Sequence, residues 1–293
     1  MNDFLMRSLM FVPAHSDKLM ESAMKVDADV LLFDIEDSVQ PVENKQKARD
    51  KVIQYVSEGK FNGRILFPRI NDRESGQLLK DVTQLTIPGI TGFMYPKAKR
   101  GEDIYFFDKL LETIEYEKGI EKGTYKIIPL IETASAVMNV QDICIASKRI
   151  VAIAYGSEDF ITDLEGIHDK EHISLFTPRA LIAMAARAHC ITPIDTVHVR
   201  VKDLEDLEKN LILSRTLGFE GMLVLNPMEL PLVHQYFTPS EKEIMDSKEI
   251  LRLDEEVRRN GNGVAILNGK FIGPPFVAKA KKILSKYSFI INK

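Results

Sequence analysis

Cysteine is scarce. The chain has two, Cys144 and Cys190, with no CxxC spacing. Both sit on segments that read as helices, so a buried free thiol is expected at each. Charge of one sign is also missing. Lys and Arg number 39 against 43 Asp and Glu, a net charge of −4, which leaves no basic footprint for nucleic acid. No apolar run approaches the roughly 20 residues of a membrane-spanning helix, so no membrane partner is expected. The opening MNDFLMRSLMFVP lacks an apolar stretch followed by a small-residue cleavage site, which predicts a cytoplasmic protein. No GxSxG elbow, Walker A loop or GxGxxG follows a strand pattern, arguing against hydrolase, nucleoside-triphosphate and dinucleotide chemistry. The six histidines show no metal-ligand spacing and read as structural or exposed. No internal repeat or low-complexity segment is visible.

What remains is an ordinary globular composition, 45% hydrophobic and 28% charged. Short apolar, β-branched runs alternate with helical periodicity. Strands are predicted at Ser8–Pro13, Val30–Ile35, Ile65–Ile70, Gly92–Pro96, Ile127–Ile131, Val151–Tyr155, Thr196–Val199 and Met222–Leu225. Helical patterns lie between them, among them KLMESAMKV, ENKQKARDKVIQYV, SAVMNVQDICIAS and PRALIAMAARA. Ser16, Thr133 and Thr177-Pro178 look like their starts. Such alternation implies a parallel sheet, and eight units in about 230 residues fit a closed (β/α)₈ TIM barrel of the α/β class. A doubly wound open sheet is the runner-up. The barrel is expected over 1–237. A C-terminal extension, 238–293, reads as a long charged helix closed by Gly261 and Gly263, a hairpin around Asn268-Gly269 and a last helix. It is expected to cover the barrel mouth or dock on a neighbouring subunit.

The stretch VLLFDIEDSVQP runs from an apolar strand straight into Asp34, Glu36 and Asp37. Burying charge is costly unless it is paired or metal-bound. Other predicted strands also end in polar groups: Arg69, Lys97, Glu132, Glu158 with Asp159, and Asn226. In a barrel these ends share one rim, where catalytic groups sit. Glu132 and Asp159, from adjacent strands, can give a divalent ion two hard oxygen ligands in the manner of Mg²⁺, and nothing soft nearby suits zinc. Arg69 offers a donor fork for a carboxylate or an enolate oxygen. Strand alternation turns Asp34 and Glu36 the same way. One of them is expected to orient Arg69, while Asp37 turns toward metal-bound water. Taken singly, Glu132 also reads as an acid favoured at a helix start, Asp159 as a turn cap and Arg69 as a structural ion pair. Their convergence at one rim favours a site.

RSLMFVPAHSDKLMESAMKVDADVLLFDIEDSVQPVENKQKAR resembles the opening of citrate lyase β-subunit-like proteins, within the HpcH/HpaI aldolase superfamily. LFPRIND, MYPKA, PLIETASAVMNV, AYGSEDFITDLEG and PIDTVHVRVKDLEDLEKNLILSRTLGFEG continue the match in order over nearly the whole chain. The resemblance implies a (β/α)₈ barrel assembled as homotrimers or hexamers. It also implies Mg²⁺-dependent making or breaking of the C–C bond between an oxo acid and an acyl-CoA enolate. Glu132 and Asp159 would hold the metal, with Arg69 on the oxo acid and enolate. Phe11, Lys18, Leu225 and Asn226 would line the substrate, with Lys18 near the coenzyme A phosphates. The chain departs from the pattern where two aspartates of the C-terminal segment are replaced by Asn268 and Gly273. A glycine cannot move a proton, so either another group does so, a metal-bound water or one of the Asp34–Asp37 carboxylates, or the substrate differs from the usual one. The leading expectation is a Mg²⁺-dependent lyase of the citryl-CoA or malyl-CoA type. Two alternatives remain open: a coenzyme A-independent aldolase on a free hydroxy-keto acid, and a non-catalytic oxo-acid-binding accessory protein.

Overall fold

The structure, a computed structural model, describes residues 5–168, 172–259, 265–267 and 270–291. They divide into two compact units, 1–233 and 234–293. The first is built on eight parallel strands: β1 (Ser8–Pro13), β2 (Val30–Asp34), β3 (Ile65–Leu66), β4 (Gly92–Tyr95), β5 (Lys126–Ile131), β6 (Ala152–Tyr155), β7 (Thr192–Asp195) and β8 (Gly221–Val224). Their order is β3-β2-β1-β8-β7-β6-β5-β4. The remaining seam is nearly closed by backbone contacts, Thr91 N–H to Leu66 O at 3.0 Å and Met94 N–H to Pro68 O at 2.9 Å, and by a bridge between Arg69 and Met94. β3 is short because Pro68 has no N–H to give to the ladder. The expected TIM barrel is present.

Helices alternate with the strands: α1 (Asp17–Ala23), α2 (Asn44–Ser57), α3 (Leu78–Leu85), α4 (Gly101–Glu117), α5 (Ala134–Met138), α6 (Val140–Ile145), α7 (Ser157–Asp163), α8 (Ile173–Ala188), α9 (Leu204–Leu217) and α10 (Leu230–Phe237). Ser16 and Thr133 cap as expected, their hydroxyls accepting from Leu19 N and Ala136 N. The barrel interior is filled by alternate strand residues, including Leu9, Val30, Leu32, Phe67, Met94, Leu130, Ala154 and Leu223. Gly221 lets the backbones of β8 and the segment before β1 meet: a Cβ there would lie 1.8 Å from Met6 O. Among the described residues no helix is long and apolar enough to cross a membrane.

Four local readings are corrected. β7 is Thr192–Asp195, not Thr196–Val199. Pro193 reads as a strand breaker, yet its carbonyl still accepts from Glu220 N at 3.0 Å. Thr177-Pro178 does not start α8 but lies inside it, after the first turn from Ile173. The helix expected over SAVMNVQDICIAS breaks at Asn139, whose amide donates to Ser135 O and Lys99 O and competes with helical pairing. Cys144 is buried, whereas Cys190 is exposed, turned out just past α8 with φ 57°.

The second unit holds α11 (Glu241–Arg259), an antiparallel pair β9 (Ala265–Leu267) and β10 (Lys270–Ile272), and α12 (Pro274–Ile291). Ile272 and Val277 pack with Ile250, Leu253 and Val257 in a small core. Gly273 starts α12, its carbonyl accepting from Phe276 N and Val277 N. Asn268, Gly269, Gly261 and Gly263 lie outside the described residues.

Candidate active site

β2 delivers the acidic stretch to the C-terminal rim. Asp34 is buried, and its carboxylate accepts from Glu36 N (3.0 Å) and Ser38 N (3.1 Å). Its outer side grips Arg69 as a fork, Nε to Oδ1 and Nη2 to Oδ2, both 2.8 Å. Arg69 Nη1 lies 3.1 Å from Glu36 Oε2 and 3.0 Å from Asp37 Oδ2. The guanidinium also stands over the Phe11 ring, 4.7 Å from its centroid. Burial works against the Arg69 charge, but Asp34, Glu36 and Asp37 outweigh it and push its pKa up. Burial likewise opposes ionised Asp34, and Arg69 with Ser38 overcomes it, so Asp34 stays below its ordinary value. Glu36 goes the other way. Burial, reinforced by Asp37, pushes it up to about 7 despite Arg69 and Lys97.

Lys97, at the end of β4, ties two parts of the rim together. Its Nζ lies 2.7 Å from Glu36 Oε1, and its backbone N–H donates to Glu132 Oε1 at 2.6 Å. That amide is aimed by a left-handed backbone, φ 53°, uncommon for a residue with a side chain. Glu132, at the end of β5, is 1% exposed. Burial raises its pKa well above the ordinary value, and the carboxylates of Glu36 and Asp159 add to the shift. Gly156 makes room for it, since a Cβ there would sit 2.9 Å from Glu132 Cβ and 3.1 Å from Oε2. Asp159 stands exposed in the first turn of α7.

These groups border one cavity of about 290 Å³. Phe11, Asp34, Asp37, Arg69, Glu132, Asp159 and Leu225 all line it. Glu36 does not, but reaches it through Arg69, and neither does Lys97. Lys18 is exposed on α1 and does not line the cavity. Asn226 does not line it either, because its side chain caps the turn after β8, accepting from Met228 N at 3.0 Å. Asp37 is paired with Arg69 rather than turned away from it.

Three contributions, one of them the backbone of a residue already placed at the rim, lay outside the sequence reading of the site. Lys97 was legible as a polar strand end, but the amide it presents to Glu132 is not a property of residue type. Gly156 acts by having no side chain. Lys45 is buried on α2 and donates from Nζ to Ile35 O (2.9 Å) and Glu36 O, fixing the loop that carries the carboxylates. Its signal was available. Lys45 falls on the same helical stripe as Ala48, Val52 and Tyr55, where a lysine is out of place.

The donor set suits a hard divalent cation. Among the described residues no three His, Cys, Asp or Glu side chains could hold a metal unaided. Glu132 and Asp159 offer two carboxylates, and Mg²⁺ characteristically takes one or two together with waters and substrate oxygens. A cation held by these carboxylates would offset the burial, and the repulsion from Glu36 and Asp159, that raise Glu132.

Residues 7–227 match the family model HpcH/HpaI aldolase/citrate lyase. The chain is 31% identical to the citrate lyase subunit beta of Haemophilus influenzae over 282 residues, 96% of this chain and 97% of that one. It is 28% identical to an L-malyl-CoA/beta-methylmalyl-CoA lyase of Rhodobacter capsulatus over 300 residues, 96% of this chain and 94% of that one. In fold it resembles protein CitE from Mycobacterium tuberculosis, solved with magnesium, acetoacetate and coenzyme A. The TM-score is 0.76 at 22% identity, covering 97% of this chain and 98% of that one.

Proposed function

The chain belongs to the HpcH/HpaI aldolase/citrate lyase family, and we propose that it is a Mg²⁺-dependent carbon–carbon lyase of the citryl-CoA or malyl-CoA type. It cleaves a 3-hydroxyacyl-CoA to an acyl-CoA and an oxo acid, or runs the reverse condensation. The observation that carries this reading is the single cavity bordered by Arg69, Glu132 and Asp159. Glu132 and Asp159 would hold Mg²⁺, which would supply a Lewis acid drawing charge from the oxo acid's oxygens.

Arg69 has five N–H groups. Nε and one Nη2 hydrogen go to Asp34, while Nη1 stands in ion-pair contact with Glu36 and Asp37. The second Nη2 hydrogen is left for the substrate, and Asp37, the half-exposed partner, can yield its place at Nη1. In cleavage the 3-hydroxyl loses its proton, the bond between C2 and C3 breaks, and its electron pair moves onto the thioester as an enolate. Arg69 donates to that enolate oxygen, in a position Asp34 holds rigidly. Asp37 takes the hydroxyl proton, standing in for the acid that Gly273 cannot be. Phe11 and Leu225 present apolar walls to the acyl chain. Lys18 and Asn226, off the cavity wall, meet the coenzyme A portion outside it.

The protein works in the cytoplasm as a homotrimer or hexamer, and the 238–293 extension acts as a lid or subunit contact. Replacing Glu132 by Ala tests the centre of the reading. Mg²⁺ binding and C–C cleavage across a panel of 3-hydroxyacyl-CoA esters are both expected to drop by at least about 100-fold. Unchanged values for both would remove the metal site.

A further inference from the structure

Among the described residues, four other than glycine take a left-handed backbone: Lys97, Glu165, His172 and Cys190. Glu165 and Cys190 stand just past the ends of α7 and α8, where that conformation commonly closes a helix. His172 opens α8. Lys97 has no such reason. It follows the strand β4, and α4 does not begin until Gly101. A side chain held in this region carries a cost equivalent to about five- to 100-fold in an equilibrium, which its surroundings must offset.

What that backbone delivers is a single N–H. It donates to Glu132 Oε1 at 2.6 Å, the one hydrogen bond that carboxylate accepts among the described residues. The amide thus fixes one oxygen of Glu132, while Gly156 leaves space beside the other, Oε2. The side chain of Lys97 reaches the opposite way. Its Nζ lies 2.7 Å from Glu36 Oε1 and 3.7 Å from Asp72 Oδ2. Glu36 is itself buried and braced by Arg69 Nη1 at 3.1 Å. With the Lys97 side chain 40% exposed, packing gives it little hold, and the ion pair to a buried carboxylate is the firmer anchor.

We propose that Lys97 is a positioning residue for Glu132: its ammonium, clamped to Glu36, holds the left-handed backbone whose N–H orients the metal-binding carboxylate. This role rests on Glu132 being the Mg²⁺ ligand of the proposed lyase. Groups that orient a ligand typically change metal affinity by about 10–100-fold when removed. Charge alone would act the other way, since an ammonium near the site repels a cation. Neutral replacements that differ only in their tolerance of a positive φ therefore isolate the backbone's share. Asn and Gly accept that conformation readily, whereas Met does not.

The test is calorimetry of Mg²⁺ binding by the full chain, under conditions where circular dichroism shows each variant folded. Lys97→Met is expected to bind Mg²⁺ at least about tenfold more weakly than wild type. Lys97→Asn and Lys97→Gly are expected to bind at least about fivefold more tightly than Lys97→Met. All three lose the same charge, so that difference reports the backbone. A general loss of stability does not move the affinity of the folded chain, which separates positioning from mere support. Equal affinity in the three variants, or wild-type affinity in Lys97→Met, would each overturn the proposal. Glu132→Ala is the control. Wild-type affinity there, or no saturable binding by wild type, removes the metal site and this role with it. Loss in Glu132→Ala beside unchanged Lys97 variants removes the positioning role alone. Lys97→Gln takes the place of Lys97→Met should that variant fail to fold.

Discussion

Replacing Lys45 by Met keeps the four-atom stem of the side chain and removes its ammonium group. Lys45 is 3% exposed and gives hydrogen bonds to two backbone carbonyls of the acidic loop. Hydrogen bonds from a charged donor contribute about 1.5–3 kcal/mol each, and a carbonyl left buried and unpaired costs about 1–3 kcal/mol. Against this, methionine no longer carries a charge that burial disfavours, the main cause of Lys45's lowered pKa. The balance is a loss of about 2–4 kcal/mol, read as a lower urea midpoint at unchanged slope. The loss should grow with pH. Glu36 titrates at about 7 in the folded chain against 4.5 as its ordinary value. Its cost to stability is absent below 4.5, appears as the unfolded chain ionises and levels off above the folded value. Removing the nearby ammonium raises the folded value further, so the penalty extends to higher pH. The variant should therefore lose about 1 kcal/mol more at pH 8 than at pH 5. A variant within about 0.5 kcal/mol of wild type at both pH values would refute the assignment of Lys45 as the support of the acidic loop.

Other outcomes follow from the same geometry. Glu229 is fully buried, and burial lifts it to about 7 from 4.5 although Leu225 N donates to it. Stability should fall by up to about 3 kcal/mol as pH rises from 4.5 through 7, and Glu229→Gln should remove that share of the slope in urea titrations. Gly156→Ala places a methyl group against Glu132, 2.9 Å from its Cβ. Calorimetry should show Mg²⁺ affinity reduced at least about tenfold, while stability falls by about 1–3 kcal/mol; full Mg²⁺ affinity would mean that Glu132 is not a ligand.

The barrel was legible because its strands are buried on both sides and read as continuous apolar runs. Where a proline interrupted such a run, the pattern misled: Pro193 displaced the seventh strand by four residues and Pro68 cut the third short. Asp34 was legible because it closes an apolar strand beside the one that carries Arg69, whereas Glu36 lies past the end of β2 and reaches Arg69 from the following turn, which strand alternation does not dictate. Lys18 and Asn226 were less so. Whether a helix or turn residue faces a cavity depends on rotation about the element and on local capping, as Asn226 shows by accepting from Met228 N. The hold on Glu132 lay beyond residue-type reasoning, since it comes from a backbone amide at Lys97 and a missing Cβ at Gly156.

Arg69 forms backbone bridges to Asp34 on one side and to Met94 on the other. The residue whose head group meets the acids is thus also a rivet at the one weak join of the cylinder. A refolding chain whose third and fourth strands have yet to meet has neither a closed wall nor an oriented guanidinium. Recovery of ligand binding after dilution from denaturant should accordingly lag behind recovery of helical circular dichroism and time the final zippering of the wall.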